Sequence, residues 1–112
     1  MPSETSVGAI IFRRENGQKR YLLLHYHYKS DYWDFVKGKA EGEETQKETI
    51  LRETKEETGL TDIQFAEGFK DKTNWFYKKE GQTIFKEVTY FLCETQTTKV
   101  KLSEEHIGYD WL

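Results

Sequence analysis

The hydrophobic positions of this chain fall into short runs broken by glycine, asparagine and charged residues, a pattern of strands rather than long helices. Thr5–Arg13 is rich in β-forming residues, and the turn Glu15–Asn16–Gly17–Gln18 follows it. Arg20–Tyr28 resumes a strand pattern through Tyr21, Leu22, Leu23 and Leu24. Asn-Gly is a strong hairpin signal, so these two segments are expected to be antiparallel neighbours. Ser30–Glu43 reads as a loop with short extended pieces. A helix is expected from Thr45, which has capping-box spacing to Glu48, and Gly59 suits the left-handed position just past its end. Ile50, Leu51 and Thr54 would form its thin inner face. Ile63–Phe69, Thr73–Lys78 and Thr83–Glu94 read as further strands, with Glu80–Gly81 turning the second into the third. Leu102–His106 reads as a short turn begun by Ser103, and Gly108–Leu112 as a last short strand. One helix among several strands predicts an α/β or α+β domain with a mixed sheet.

Composition narrows the partners. The length of 112 residues argues for one domain, residues 1–112, with one modest core. A charged fraction of 33% is high, and 15% aromatic residues supply the burial area that offsets it. The formal net charge of −3 offers no basic field for long nucleic acid, while a small phosphorylated ligand with its own metal remains compatible. The single cysteine, Cys93, lies in the apolar run Tyr90–Phe91–Leu92–Cys93 and reads as a buried strand thiol. No disulfide framework can form within the chain, which fits a reducing cytosol. The N-terminus lacks the basic and apolar regions of a signal peptide, and no run approaches the roughly 20 apolar residues of a membrane span. The expected location is cytoplasmic.

The chemistry concentrates between Gly38 and Leu60, in GKAEGEETQKETILRETKEETGL. Glu53, Glu56 and Glu57 stand at i, i+3 and i+4, which places three carboxylates on one side of the predicted helix. Like charges so placed repel unless something neutralises them, and a hard divalent cation such as Mg²⁺ or Mn²⁺ prefers such oxygen ligands. Ion pairing with Arg52 and Lys55 is the ordinary alternative for a charged helix face, so the trio alone does not establish a metal site. The surrounding spacing does more. Gly38, Glu44, Arg52, Glu53, Glu56, Glu57, Gly59 and Leu60 fit G-x(5)-E-x(7)-R-E-U-x-E-E-x-G-U, where U is a bulky aliphatic residue. The chain thereby resembles the Nudix family, whose box this is. Thr54 departs from it, at a position where the family prefers Ile, Leu or Val.

The resemblance implies roles. Glu53, Glu56 and Glu57 match the family's metal-binding positions, Arg52 the position that orients the carboxylates, and Gly38 the glycine whose carbonyl often completes the metal's ligands. In the family the metal ions bridge phosphate oxygens and acidify a water that attacks phosphorus in line with the leaving group. Lys37 and Lys39, flanking Gly38, are candidates to meet the developing charge.

The similarity extends through GAIIFRR at Gly8–Arg14, YLLL at Tyr21–Leu24, the Trp33 to Lys39 approach, EGFK at Glu67–Lys70 and LSEEH…YDWL at Leu102–Leu112. These segments resemble the asymmetric diadenosine tetraphosphate hydrolase branch. That resemblance implies that Glu105 reaches the metal site from outside the box, that Lys86 contacts the phosphate chain, and that an aromatic residue among Trp75, Phe76 and Tyr77 stacks on the base. Tyr77 is the first choice and Trp75 the second, with Tyr109 and His106 as further candidates. Alternation should send Trp75 and Tyr77 to one sheet face and Phe76 to the other. Lys39 stands where the branch often has His, and Glu43 where a turn glycine is common.

The implied activity is hydrolysis of a phosphoanhydride bond in a small nucleotide, first of all diadenosine tetraphosphate to ATP and AMP, with Mg²⁺ or Mn²⁺ as cofactor and no membrane partner. Nucleotide clean-up, pyrophosphate removal from RNA 5′ ends, and non-catalytic nucleotide sensing are the alternatives. The expected architecture is the Nudix fold without the family's usual C-terminal helix. Alternation then turns some of Ile10, Phe12, Leu22, Leu24, Phe85, Tyr90 and Leu92 toward an uncovered face, which predicts either self-association as a homodimer or lower stability than a version extended by that helix, unless Lys86, Glu87 and Thr89 make that face wet.

Overall fold

The computed structural model describes residues 2–26, 32–104 and 106–112. Among them the chain runs β1 (Ser3–Glu15), β2 (Gln18–Tyr26), β3 (Tyr32–Asp34), β4 (Val36–Gly38), α1 (Gln46–Thr58), β5 (Gln64–Lys79), β6 (Gln82–Glu94) and β7 (His106–Trp111). The strands join in the order β3-β2-β1-β6-β5, with β4 beside β1 and β7 beside β2. This is a mixed sheet with one described helix, the α/β arrangement expected. Residues 27–31, which include the end of the expected second strand and the start of the expected loop, lie outside the described residues, as does Glu105.

The Asn16–Gly17 turn joins β1 and β2 with both residues at positive φ, 52° and 80°. That is the backbone a tight hairpin demands, and Phe12 faces Tyr21 across it. At the centre, β1 and β6 pair in parallel over ten residues, from Ser3↔Phe85 to Phe12↔Glu94. The other side of β1 takes β4 near its start, with Gly8 opposite Lys37 and Val7 opposite Gly38. Two strands predicted separately, Ile63–Phe69 and Thr73–Lys78, form the single strand β5. The pairing with β6 shifts register between Phe65 and Lys70, and Gly68 at φ 80° takes up the irregularity.

Helix α1 begins as its capping spacing predicts. Thr45 accepts from the Glu48 backbone N–H, the Glu48 side chain accepts from the Thr45 N–H, and Gly59 closes the other end at φ 75°. Its buried face is Thr49, Ile50, Thr54, Glu57 and Thr58. Leu51, expected inside, is 44% exposed, because one step of about 100° around the helix carries it off the stripe set by Ile50 and Thr54. Val7, Ala9 and Ile11 of β1 pack with Phe91 and Cys93 of β6 and with Ile50 and Leu60 in the core.

The remaining apolar strand positions differ in burial. Phe12, Leu22 and Leu24 are buried, whereas Ile10, Phe85, Tyr90 and Leu92 are half-buried. Thr89, one of three residues expected to wet an open face, is itself buried. Cys93 is buried as predicted, and burial pushes its thiol pKa up to about 12.

Candidate active site

Arg52 organises the acidic end of the site. Its Nε donates to Glu44 Oε2 at 2.8 Å and its Nη2 to the Lys39 carbonyl at 2.8 Å. One nitrogen, Nη1, donates to both Glu53 Oε1 at 2.9 Å and Glu56 Oε1 at 2.8 Å. The planar guanidinium can serve several acceptors in fixed directions, so it gathers three box carboxylates, Glu44, Glu53 and Glu56, and ties the helix to the strand-to-helix loop. Hydrogen bonds from Arg52, then from the Glu41 backbone, hold the Glu44 pKa down at about 2. The hydrogen bonds to Glu44 first, and then to Glu53, raise that of Arg52 against the lowering effect of burial.

Gly38 lies against Glu53. A Cβ built on Gly38 would stand 2.2 Å from Glu53 Cδ and 2.5 Å from its Oε1, so a larger residue would have to displace the Glu53 carboxylate. Absence of a side chain lets β4 backbone approach the Glu53 carboxylate directly. Glu57 is differently placed. It is buried, and its Oε1 lies 3.2 Å from Nε2 of His106. The sequence groups the three glutamates on one side of α1. In the structure two of them meet at Arg52 and the third meets His106. Among the described residues, no three acidic, histidine or cysteine side chains converge on one point. The donors nevertheless suit a hard divalent cation, being carboxylate oxygens close to a glycine backbone.

A second cluster lies on the sheet face opposite the one that packs on α1. Lys86 Nζ donates to Ser6 Oγ at 2.7 Å and stands 3.7 Å from Glu4. Lys39 reaches Glu4 Oε2 at 3.5 Å, and the Tyr77 hydroxyl donates to Glu4 Oε1 at 2.5 Å. Lys37 pairs with Asp34 at 2.5 Å and donates to the Tyr32 hydroxyl at 3.3 Å. Burial, together with the nearby positive charges of Lys39 and Lys37, lowers the Lys86 pKa although Glu4 opposes it. Lys37 and Lys39 therefore act electrostatically on Lys86. Glu4 is pulled below its ordinary pKa, chiefly by the Tyr77 hydrogen bond.

The aromatic candidates separate as alternation requires. Tyr77 reaches Glu4, whereas Phe76 packs on Phe85 with ring centroids 5.2 Å apart. Trp75 lies opposite Lys86 in the β5–β6 register. Tyr109 lies on β7 opposite Leu24, at the other end of the strand order from β5. His106 is buried, so it offers no open ring face to a base. Glu4, Ser6 and Asp34 were not among the residues expected at the site. Glu4 and Ser6 are spaced by two at the polar start of β1, the only local sign that this end of the strand faces something charged.

Comparison with known proteins gives the family and the fold. The family model described as NUDIX domain matches residues 2–112. A mouse bis(5′-nucleosyl)-tetraphosphatase (asymmetrical) is 34% identical over 94% of this chain and 76% of its own length. A Haemophilus influenzae dihydroneopterin triphosphate diphosphatase is 28% identical over 96% of this chain and 72% of its own. The crystal structure of a Caenorhabditis elegans Ap4A hydrolase binary complex superposes with a TM-score of 0.80 at 30% identity, covering 96% of this chain and 77% of that one. The chain belongs to the Nudix family of hydrolases.

Proposed function

We propose that this Nudix pyrophosphohydrolase acts on dinucleoside polyphosphates, with diadenosine tetraphosphate cleaved to ATP and AMP as its principal reaction. The observation that carries the reading is the double engagement of Lys39. Its carbonyl accepts from Arg52 on the acidic side, and its ammonium reaches Glu4 in the lysine cluster. One residue thus joins the carboxylate end of the site to Lys86 and Tyr77. A polyphosphate chain running along this junction meets acidic ligands at one end and lysines at the other. The mouse relative and the Caenorhabditis elegans structure support the substrate class.

In this reading Glu53, Glu56 and Glu57, with the Gly38 carbonyl and Glu105, hold divalent metal, Mg²⁺ or Mn²⁺. The bound cation supplies charge neutralisation on phosphate oxygens and acidifies water. Arg52 orients Glu53 and Glu56. Lys37, Lys39 and Lys86 bind the phosphate oxygens and offset the charge that grows there as a P–O bond forms to water and the anhydride P–O bond breaks. Tyr77 or Trp75 stacks on a base, with Tyr109 available to the second nucleoside, because any base presents a π face.

The Haemophilus influenzae relative supports a second reading, in which a pterin or nucleoside triphosphate is the substrate. A comparison of kcat/KM for diadenosine tetraphosphate, dihydroneopterin triphosphate and the common nucleoside triphosphates decides between them. The proposal expects the dinucleoside substrate to lead by at least about tenfold, equivalent to roughly 1.4 kcal/mol in transition-state binding. A higher value for a triphosphate overturns it.

A further inference from the structure

Glu57 is the box glutamate with the most enclosed side chain, 6% exposed against 56% for Glu56. Its Oε1 lies 3.2 Å from Nε2 of a fully buried His106. The His106 ring is itself held from several directions. Its Nδ1 lies 3.0 Å from Ser103 Oγ, and its edge packs on Tyr26 with centroids 4.5 Å apart at 66°. The His106 backbone N–H donates to the Ser103 carbonyl at 3.2 Å. Ser103 in turn donates its backbone N–H to the Glu57 carbonyl at 3.3 Å. The segment entering β7 therefore meets Glu57 twice, by a backbone hydrogen bond from Ser103 and by the close approach of the imidazole to the carboxylate.

We propose that His106 is a positioning residue that holds the Glu57 carboxylate in one orientation for the divalent cation. The inference rests on the reading of Glu57 as a cation ligand. A glutamate side chain has three rotatable bonds, and fixing them on binding costs conformational entropy. A buried imidazole beside one carboxylate oxygen limits that freedom before the cation arrives. Partners of metal ligands typically contribute about 10–100-fold to metal affinity. Ser103 Oγ fixes the ring through Nδ1, which leaves Nε2 as the ring nitrogen turned to the Glu57 carboxylate.

Mn²⁺ binding to the full chain without substrate, followed by the electron paramagnetic resonance signal of free Mn²⁺, tests this. The variants are His106→Phe, His106→Gln, Ser103→Ala and Glu57→Gln, compared at a temperature where circular dichroism shows each folded. His106→Phe keeps ring volume without a polar atom and is expected to weaken Mn²⁺ by about 10–100-fold. His106→Gln, which offers an amide N–H, is expected to recover part of that loss, and kcat should fall with little change in substrate KM. A purely structural role would lower thermal stability but leave the Mn²⁺ affinity of folded protein unchanged, and that result overturns the proposal. If His106→Phe does not fold, Ser103→Ala carries the test: several-fold weaker Mn²⁺ binding supports positioning, and wild-type affinity overturns it. Wild-type affinity in Glu57→Gln removes the ligand reading itself, whereas a loss there with none in the His106 and Ser103 variants removes only the positioning role.

Discussion

Arg52 solves a problem that three acidic residues on one helix face would otherwise create. Its Nη1 stands between Glu53 and Glu56, and its Nε bonds Glu44. A pH prediction follows for Glu44, whose folded pKa is about 2 against an ordinary value of 4.5. A carboxylate with a depressed folded pKa contributes stability above its unfolded pKa and loses it as pH falls through the folded value. The Tm difference between wild type and Glu44→Gln should therefore be full above pH 4.5 and shrink toward pH 2. A difference that stays constant over this range contradicts the Arg52–Glu44 tie. Lys86 supports a second prediction. It bonds Ser6 and faces Glu4 beneath the proposed phosphate path. Hydrogen bonds to charged groups are worth about 1.5–3 kcal/mol, so Lys86→Ala should raise KM for diadenosine tetraphosphate by roughly 10–100-fold. Steady-state kinetics with unaltered KM would remove Lys86 from the substrate site.

At the scale of elements, α1 joins local sequence signals to the chemistry. Thr45 and Gly59 cap it, and Ile50 and Thr54 bury its inner face. Thr54 occupies the box position where the family prefers an aliphatic residue. Its hydroxyl is buried and has no hydrogen-bond partner among the described residues. An unsatisfied buried polar group costs about 1–3 kcal/mol, and valine has nearly the same shape and helix propensity. Thr54→Val should therefore stabilise the fold by about 1 kcal/mol, a rise of roughly 4 °C or more in Tm by calorimetry. A fall in Tm would mean that the hydroxyl is satisfied.

The helix was legible because its caps and box are local in sequence. The turns at Asn16–Gly17 and Glu80–Gly81 were legible for the same reason, since both pairs carry positive φ. The continuity of β5 was not, because Gly68 and the charged residues after it look like a break, whereas pairing with β6 carries the strand through a register shift. The Glu4–Lys86 and Glu57–His106 contacts join residues far apart in sequence, and only the assembled sheet brings them together.

At the scale of the molecule, the parallel β1–β6 pairing sets the layout of the whole site. It aligns Glu4 with Lys86 and Gly8 with Tyr90 on one face, while Val7, Ala9 and Ile11 join the α1 side. A Cβ on Gly8 would stand 2.6 Å from the Tyr90 ring, so glycine permits that ring to cross β1. The helix then presents carboxylates at the β4 edge, where Lys39 connects them to the lysine face. In the proposed reading these charges meet a phosphate chain that brings divalent metal, which accords with the modest net charge of −3. The most direct test is incubation of the chain with diadenosine tetraphosphate and Mg²⁺ or Mn²⁺, with products identified by mass and a parallel sample containing excess chelator. The account predicts equimolar ATP and AMP, with hydrolysis abolished by the chelator. Two molecules of ADP, turnover that survives chelation, or no hydrolysis with either metal would contradict it.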